Sequence, residues 1–256
     1  MSYLDGIIGL VLFGLGMILV FVFALPSQSA SQWGLRPMAG IRRLRRAIGL
    51  AVEEGKRLHI SLGKASVINS TGASALVGLS TLERVAQISV VSDRPPVATS
   101  GEGTLAILSQ DTLRSAYRSM NTMQQYEPDR GRLTGATPFA YAAGAIPVMR
   151  GEQVSANILV GNFGPEVAFL CEAADQQRSF LVAASDSLPA QAVMYAMAEQ
   201  TLIGEELFSL PAYLQASAVH QASIRAQDVL RWVLVAFLLI GAGLKLVFTI
   251  LGIPFL

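Results

Sequence analysis

Twenty consecutive residues, Gly6 to Leu25, carry no charge, and Pro26 closes the run. An α-helix rises 1.5 Å per residue, so such a run covers about 30 Å, the thickness of a bilayer's hydrocarbon core. The reading is a membrane-spanning helix. Its leading residues, Met1-Ser2-Tyr3-Leu4-Asp5, contain no Lys or Arg, whereas a secretory signal opens with a basic region. An uncleaved anchor is expected. A second run, Val229 to Leu256, passes Arg231 and Trp232 and is interrupted by Lys245.

Composition agrees with an apolar environment at both ends. Only 14% of the 256 residues are charged and 52% are hydrophobic, against roughly 25% charged in an average soluble domain. A net charge of +1 excludes a strongly basic nucleic-acid binder and an acidic disordered chain, and a single cysteine, Cys171, excludes an internal disulfide framework or a thiolate metal cluster.

Lys and Arg near a span tend to stay in the cytoplasm. Arg36, Arg42, Arg43, Arg45 and Arg46 follow the first span, and Arg225 and Arg231 lead into the second. Both inner flanks are basic. The expected topology has two spans in a plasma membrane, both termini outside and the middle of the chain in the cytoplasm, where Cys171 stays reduced. Lys245 either snorkels to the headgroups or pairs with Asp5 near the outer surface, within one chain or between neighbours.

The middle of the chain reads as α/β. Ile41 to Glu54 places Ile41, Leu44, Ile48, Ala51 and Val52 on one helical face with arginines on the rest. Arg42, Arg43, Arg45 and Arg46 suit anionic lipid headgroups or a solvated face; without interleaved aromatic residues they do not make a nucleic-acid grip. A strand Arg57 to Gly63 follows, then a helix from Ala73 to Gln87, a strand Ile88 to Val91, the turn Ser92-Asp93-Arg94-Pro95-Pro96 and a helix from Glu102 to Met120. The order recurs as a strand Asn157 to Gly161, a helix Glu166 to Gln177, a strand Phe180 to Ala184, the turn Ser185-Asp186-Ser187-Leu188-Pro189 and a helix Ala190 to Glu199. This reads as an internal duplication. Alternating strands and helices predict a mainly parallel sheet covered on both faces, with ligands beyond the carboxyl ends of its strands. Thr137 to Arg150 fits a short buried helix or a pair of strands.

The organisation expected is an anchor over 1–26, a basic juxtamembrane helix over 27–56, a first α/β unit over 57–125, a linker and connecting segment over 126–154, a second α/β unit over 155–211, a helix over 212–228 leading to the membrane, and a span over 229–256.

Candidate site residues are few. Gly63-Lys64-Ala65-Ser66 is not a phosphate loop, because Leu58 stands where that loop needs a glycine. Ser70 and Thr71 precede a helix with no acid until Glu83. Either free N–H groups there face an anion with help from Lys64, or one of the two hydroxyls caps the helix. Asp93 and Asp186 stand at the two Ser-Asp turns, where they bind a ligand or cap the next element. Glu166 places a carboxylate where a matching second phosphate site would lie. With His59 and His220 the only histidines, no His-rich metal site is expected, and no cofactor is predicted. Cys171 lies in an apolar helix and reads as core.

The segments Glu53 to Gly63, Gly161-Asn162-Phe163-Gly164-Pro165-Glu166, Leu202 to Phe208 and Ala226 to Arg231 resemble the recurrent segments of an uncharacterised family of bacterial membrane proteins, defined as a domain of unknown function. The resemblance covers nearly the whole chain and implies a bacterial integral membrane protein; it carries no activity or catalytic residues. The leading expectation is a membrane-anchored, non-enzymatic ligand-binding or scaffold module in a homo-oligomer, since Gly9 and Gly16 share a face of the first span. The alternatives are a tethered enzyme acting on a nucleotide or phosphorylated metabolite through Lys64, Asp93 and Asp186, and an accessory subunit of a larger membrane complex with an unidentified partner.

Overall fold

The structure, a computed structural model, describes residues 3–25, 38–90, 92, 94–214 and 218–250. They fall into two compact units, one of terminal helices and one formed by the chain between them.

The helical unit consists of α1 (Tyr3–Ala24) and α9 (Ala218–Ile250), which pack on each other. Within α9 the stretch Gln221–Leu246 is long and apolar enough to cross a membrane, while the apolar part of α1, Gly9–Ala24, is shorter. A Cβ built at Gly16 would touch Leu230 at 4.0 Å. Both expected spans are therefore helical where described, and the helix expected over 212–228 is continuous with the second from Ala218 onward.

The second unit begins with α2 (Ala39–Glu53) and continues through β1 (Arg57–Gly63), α3 (Gly72–Ser89), β2 (Val97–Ser100), α4 (Gly103–Ser119) and β3 (Gly131–Leu133). Then come α5 (Pro138–Gly151), β4 (Val154–Asn162), α6 (Val167–Gln176), β5 (Phe180–Ser185), α7 (Leu188–Met197), β6 (Gln200–Leu202) and α8 (Glu206–Tyr213). All strand pairs are parallel, in the order β3-β2-β1-β4-β5-β6. This is the doubly wound order, two βαβαβ halves meeting where β1 lies beside β4. One apolar layer joins α2, α3, α4 and α8 to Leu58, Ile60, Leu62, Ile158 and Val160; the opposite layer joins α5, α6 and α7 to Leu159, Leu181 and Ala183.

Burial on both faces changes the meaning of the alternation in β1. All seven of its residues are buried, so His59 and Ser61 face a second interior rather than solvent. On α2, Ile41, Leu44, Ile48 and Ala51 are buried as the periodicity predicts, whereas Val52 is half-buried.

Three expectations are corrected. Ile88 and Ser89 end α3 instead of starting a strand: Val85 and Ala86 are fully buried beside them, and Ser89 donates its hydroxyl to the Val85 carbonyl at 2.7 Å. Packing of one more helical turn overrides the strand preference of a short Ile/Val run. The neighbouring strand is β2, so the Ser92 to Pro96 segment enters the sheet at an amino end rather than leaving it at a carboxyl end. The two Ser-Asp turns are thus not equivalent, although both halves share the βαβαβ order. Finally, the supposed linker contains β3, which pairs Ala98 with Gly131 through Ser100 with Leu133, and Thr137 to Arg150 resolves as the helix α5.

Candidate functional site

In a doubly wound sheet the crevice for a ligand opens beyond the carboxyl ends of β1 and β4. Here the two strands stay together past their ends. The N–H of Lys64 donates to the Asn162 carbonyl at 2.8 Å. Gly63 has φ +68°, and a Cβ there would lie 2.2 Å from that carbonyl oxygen, so glycine is required for the approach. Tyr141 of α5 enters from one layer: its hydroxyl contacts the Ser61 hydroxyl and accepts from the Gly63 N–H at 3.2 Å. Its ring lies 6.4 Å from that of Phe163, and both are buried. Burial pushes the Tyr141 phenol up to about 12, so it stays neutral.

Several polar groups around this point bond to one another. Glu166, itself buried, accepts from the Gly164 N–H at 2.9 Å. Asp186 accepts from the Asn162 side-chain amide at 2.7 Å, and the Ser185 hydroxyl accepts from the Phe163 N–H at 3.3 Å. The aliphatic stem of Lys64 runs over Gly101, where a Cβ would meet Lys64 Cγ at 2.5 Å. Thr71 is the N-cap of α3, but its hydroxyl accepts from the Ser66 N–H at 3.0 Å instead of capping the helix. Ser70 is exposed beside it. The capping expected of Ser70 or Thr71 is therefore replaced by a loop folded on itself. Asp93 lies outside the described residues; its neighbours lead into the amino end of β2, whereas Asp186 follows the carboxyl end of β5. The expected set of Lys64, Asp93 and Asp186 at one crevice has no support in this topology.

One family profile, that of a domain of unknown function (DUF6754), matches residues 4–254. The chain belongs to this family. No curated protein matches the chain, and no solved structure does. For this DUF6754 member, the chemistry has to be read from its own residues.

A chain of side-chain hydrogen bonds, not foreseen from the sequence, crosses the buried face of the sheet. His59 Nε2 meets the Thr99 hydroxyl and Nδ1 meets Asn157 Oδ1, both at 2.8 Å. The Asn157 amide donates to the Ser179 hydroxyl at 2.7 Å, and that hydroxyl donates to the Ala174 carbonyl at 3.0 Å. Complete burial pushes His59 down to about 4, although the bond to Asn157 opposes the shift. The imidazole is thus a neutral link between strands, held in one tautomer by its two partners. Cys171 is buried in α6, and burial pushes its thiol up to about 12, as suits a core residue rather than a nucleophile.

The amino edge of the sheet is charged. Glu152 is shared by Arg57 at 2.5 Å, Arg130 at 3.5 Å and Arg132 in closer contact, with Glu127 and Asp129 completing the charge balance. Arg42, Arg43, Arg45 and Arg46 lie on the outer face of α2, and all four are exposed. Arg45 donates to the Tyr213 carbonyl, whereas Arg43 and Arg46 line a groove with Lys56 and Arg178. In the helical unit, the Asp5 side chain lies outside the described residues and Lys245 is exposed on α9. Among the described residues there is no group of three His, Cys, Asp or Glu side chains arranged to hold a metal ion.

Proposed function

We propose that this protein is an integral membrane protein whose α/β unit is a cytoplasmic binding and scaffold module, assembled as a homo-oligomer. The observation that carries the reading is Gln221–Leu246, 26 residues long and apolar enough to cross a membrane, whose most apolar stretch is 0% buried. Trp232, Phe237, Leu239 and Leu246 are all open on this helix. An apolar surface of that extent needs a cover, and hydrocarbon supplies one without ordering further chain. α1 is the companion helix, with Leu10, Phe13, Ile18 and Phe21 exposed. The basic inner flanks favour an α/β unit on the cytoplasmic side with both termini across the membrane. Assembly draws support from Gly9, where a Cβ would meet nothing within 4 Å, leaving room for another helix to approach closely.

Alkaline carbonate extraction of membranes holding the full chain tests the anchoring: the protein stays in the pellet, and release into the supernatant refutes it. Single cysteines placed at Ser2 or Thr122 in a Cys171→Ser background, probed with an impermeant maleimide on intact cells, test the topology. Ser2→Cys is labelled and Thr122→Cys is protected. Native mass spectrometry in mild detergent tests assembly, and a spectrum of monomers alone removes that part.

A further inference from the structure

The groove on the amino edge of the sheet gathers positive charge that the surrounding acids do not cancel. It has a volume of about 730 Å³ and lies between α2 and the segments entering β1, β4 and β5. Arg43, Arg46, Lys56 and Arg178 line it against a single carboxylate, Glu54, which pairs with Lys56 at 2.7 Å. Arg43 also acts on Glu199, whose carboxyl is raised by burial and lowered by that guanidinium. Arg46 and Arg178, both exposed, have no ion pair among the described residues.

Backbone strain points to the same place. Among the described residues three non-glycine residues have positive φ, and two of them line this groove: Gln153 at +53° and Arg178 at +51°. Arg178 follows the C-cap of α6, and its N–H donates to the Asp175 carbonyl at 2.8 Å. Glycine is the usual residue at that position because it adopts this conformation freely. Holding an arginine there strains the backbone while presenting a guanidinium to the groove, and strain of this kind concentrates at functional sites. A third observation is Ser155, another lining residue, whose buried hydroxyl has no hydrogen-bond partner. Leu50 and Phe180 add an apolar wall.

We propose that this groove binds a phosphate-bearing ligand, with Arg46 and Arg178 on the phosphate oxygens and the attached organic group against Leu50 and Phe180. Guanidinium groups match phosphate geometry through paired N–H donors, and the volume suits a small organic phosphate. An anionic lipid headgroup and a soluble phosphorylated molecule offer the same chemistry. The proposal rests on reading the α/β unit as a binding module; carbonate extraction tests anchoring separately, so either idea can fail alone.

The test is calorimetric titration of the full chain in neutral detergent micelles with inorganic pyrophosphate and, separately, with dispersed phosphatidylglycerol, using phosphatidylcholine as the control lipid. Arg46→Gln and Arg178→Gly each weaken binding by about tenfold, the loss of one charge-assisted contact. Arg178→Gly also raises Tm by relieving the positive φ, so binding and stability move in opposite directions; a folding defect lowers both. Response to both probes supports recognition of phosphate itself, pyrophosphate alone a soluble ligand, and phosphatidylglycerol alone a headgroup. Binding of neither probe overturns the proposal, as does equal binding by the wild type and either variant. If Arg178→Gly loses stability and binding together, unchanged binding in Arg46→Gln overturns it as well.

Discussion

The two ends of one sheet contrast in how they treat their polar groups. At the carboxyl end, Tyr141, Ser61, Asn162, Asp186, Glu166 and Gly164 are joined by hydrogen bonds, with Phe163 buried among them. At the amino edge, Arg57, Arg130 and Arg132 share Glu152, while Arg46 and Arg178 face an open groove. A doubly wound topology directs attention to the first end, yet the cluster of positive side chains lies at the second. Strand order sets where a crevice can form; side chains decide whether it stays open. Large aromatic groups pack beside the switch point, and the helix before β1 builds a groove at the other edge.

If the carboxyl end is structural, its variants change stability and leave pyrophosphate binding intact. The largest effect is expected for Tyr141→Ala, which removes a buried ring and its hydrogen bonds and costs about 4 kcal/mol in denaturant unfolding. Tyr141→Phe costs about 1 kcal/mol. Loss of pyrophosphate binding in a folded Tyr141→Phe protein would break the comparison.

The His59 chain predicts an acid-dependent loss. Its folded value of about 4 lies below the ordinary 6.5, so on acidification the unfolded chain takes up this proton first. The associated stability is present above pH 6.5 and disappears as pH falls from 6.5 to about 4, by a total on the order of 3 kcal/mol. Denaturation midpoints across that window check it: the wild type shows the additional slope and His59→Gln lacks it. An identical pH profile for the two proteins refutes the assignment.

Smaller effects sharpen the contrast. Asp186→Ala leaves the half-buried Asn162 amide without its acceptor and costs about 1.5 kcal/mol in the same unfolding measurement. Arg178→Gly works in the other direction, with a gain of about 1 kcal/mol from removing a Cβ in a left-handed conformation. Among these variants only Arg178→Gly is expected to change pyrophosphate binding, and a stability loss in that variant would remove the strain argument.

Much of the fold was legible where local pattern and burial agree. The face of α2 formed by Ile41, Leu44, Ile48 and Ala51, the strand Arg57 to Gly63 and the strand Phe180 to Ala184 all lie where periodicity and β-branched residues put them. Val97 to Ser100 was not legible, because Ala, Thr and Ser form a strand there only by pairing with β1 and β3. Ile88 and Ser89 misled for the opposite reason, since a buried helical turn and a strand use the same residue types. The candidate site was legible only in part. The arginines of α2 were visible as a cluster, but Arg178 is 132 residues from Arg46 in the chain, and only the sheet brings them to one groove. Asp93 and Asp186 share a turn motif, yet one segment precedes a strand and the other follows one.

The sequence by itself determined that the chain has an apolar helix near each end, the second the longer, with a basic helix before its first strand and an alternation of strands and helices. These features depend on charge, hydropathy and period, which neighbouring residues set among themselves. The strand order, the packing of Tyr141 and Phe163 beside the switch point, and the union of α2 with the ends of α6 and β5 were decided by tertiary structure. Each depends on contacts between residues far apart in the chain, which local propensity does not encode and which only packing on both faces of the sheet can select.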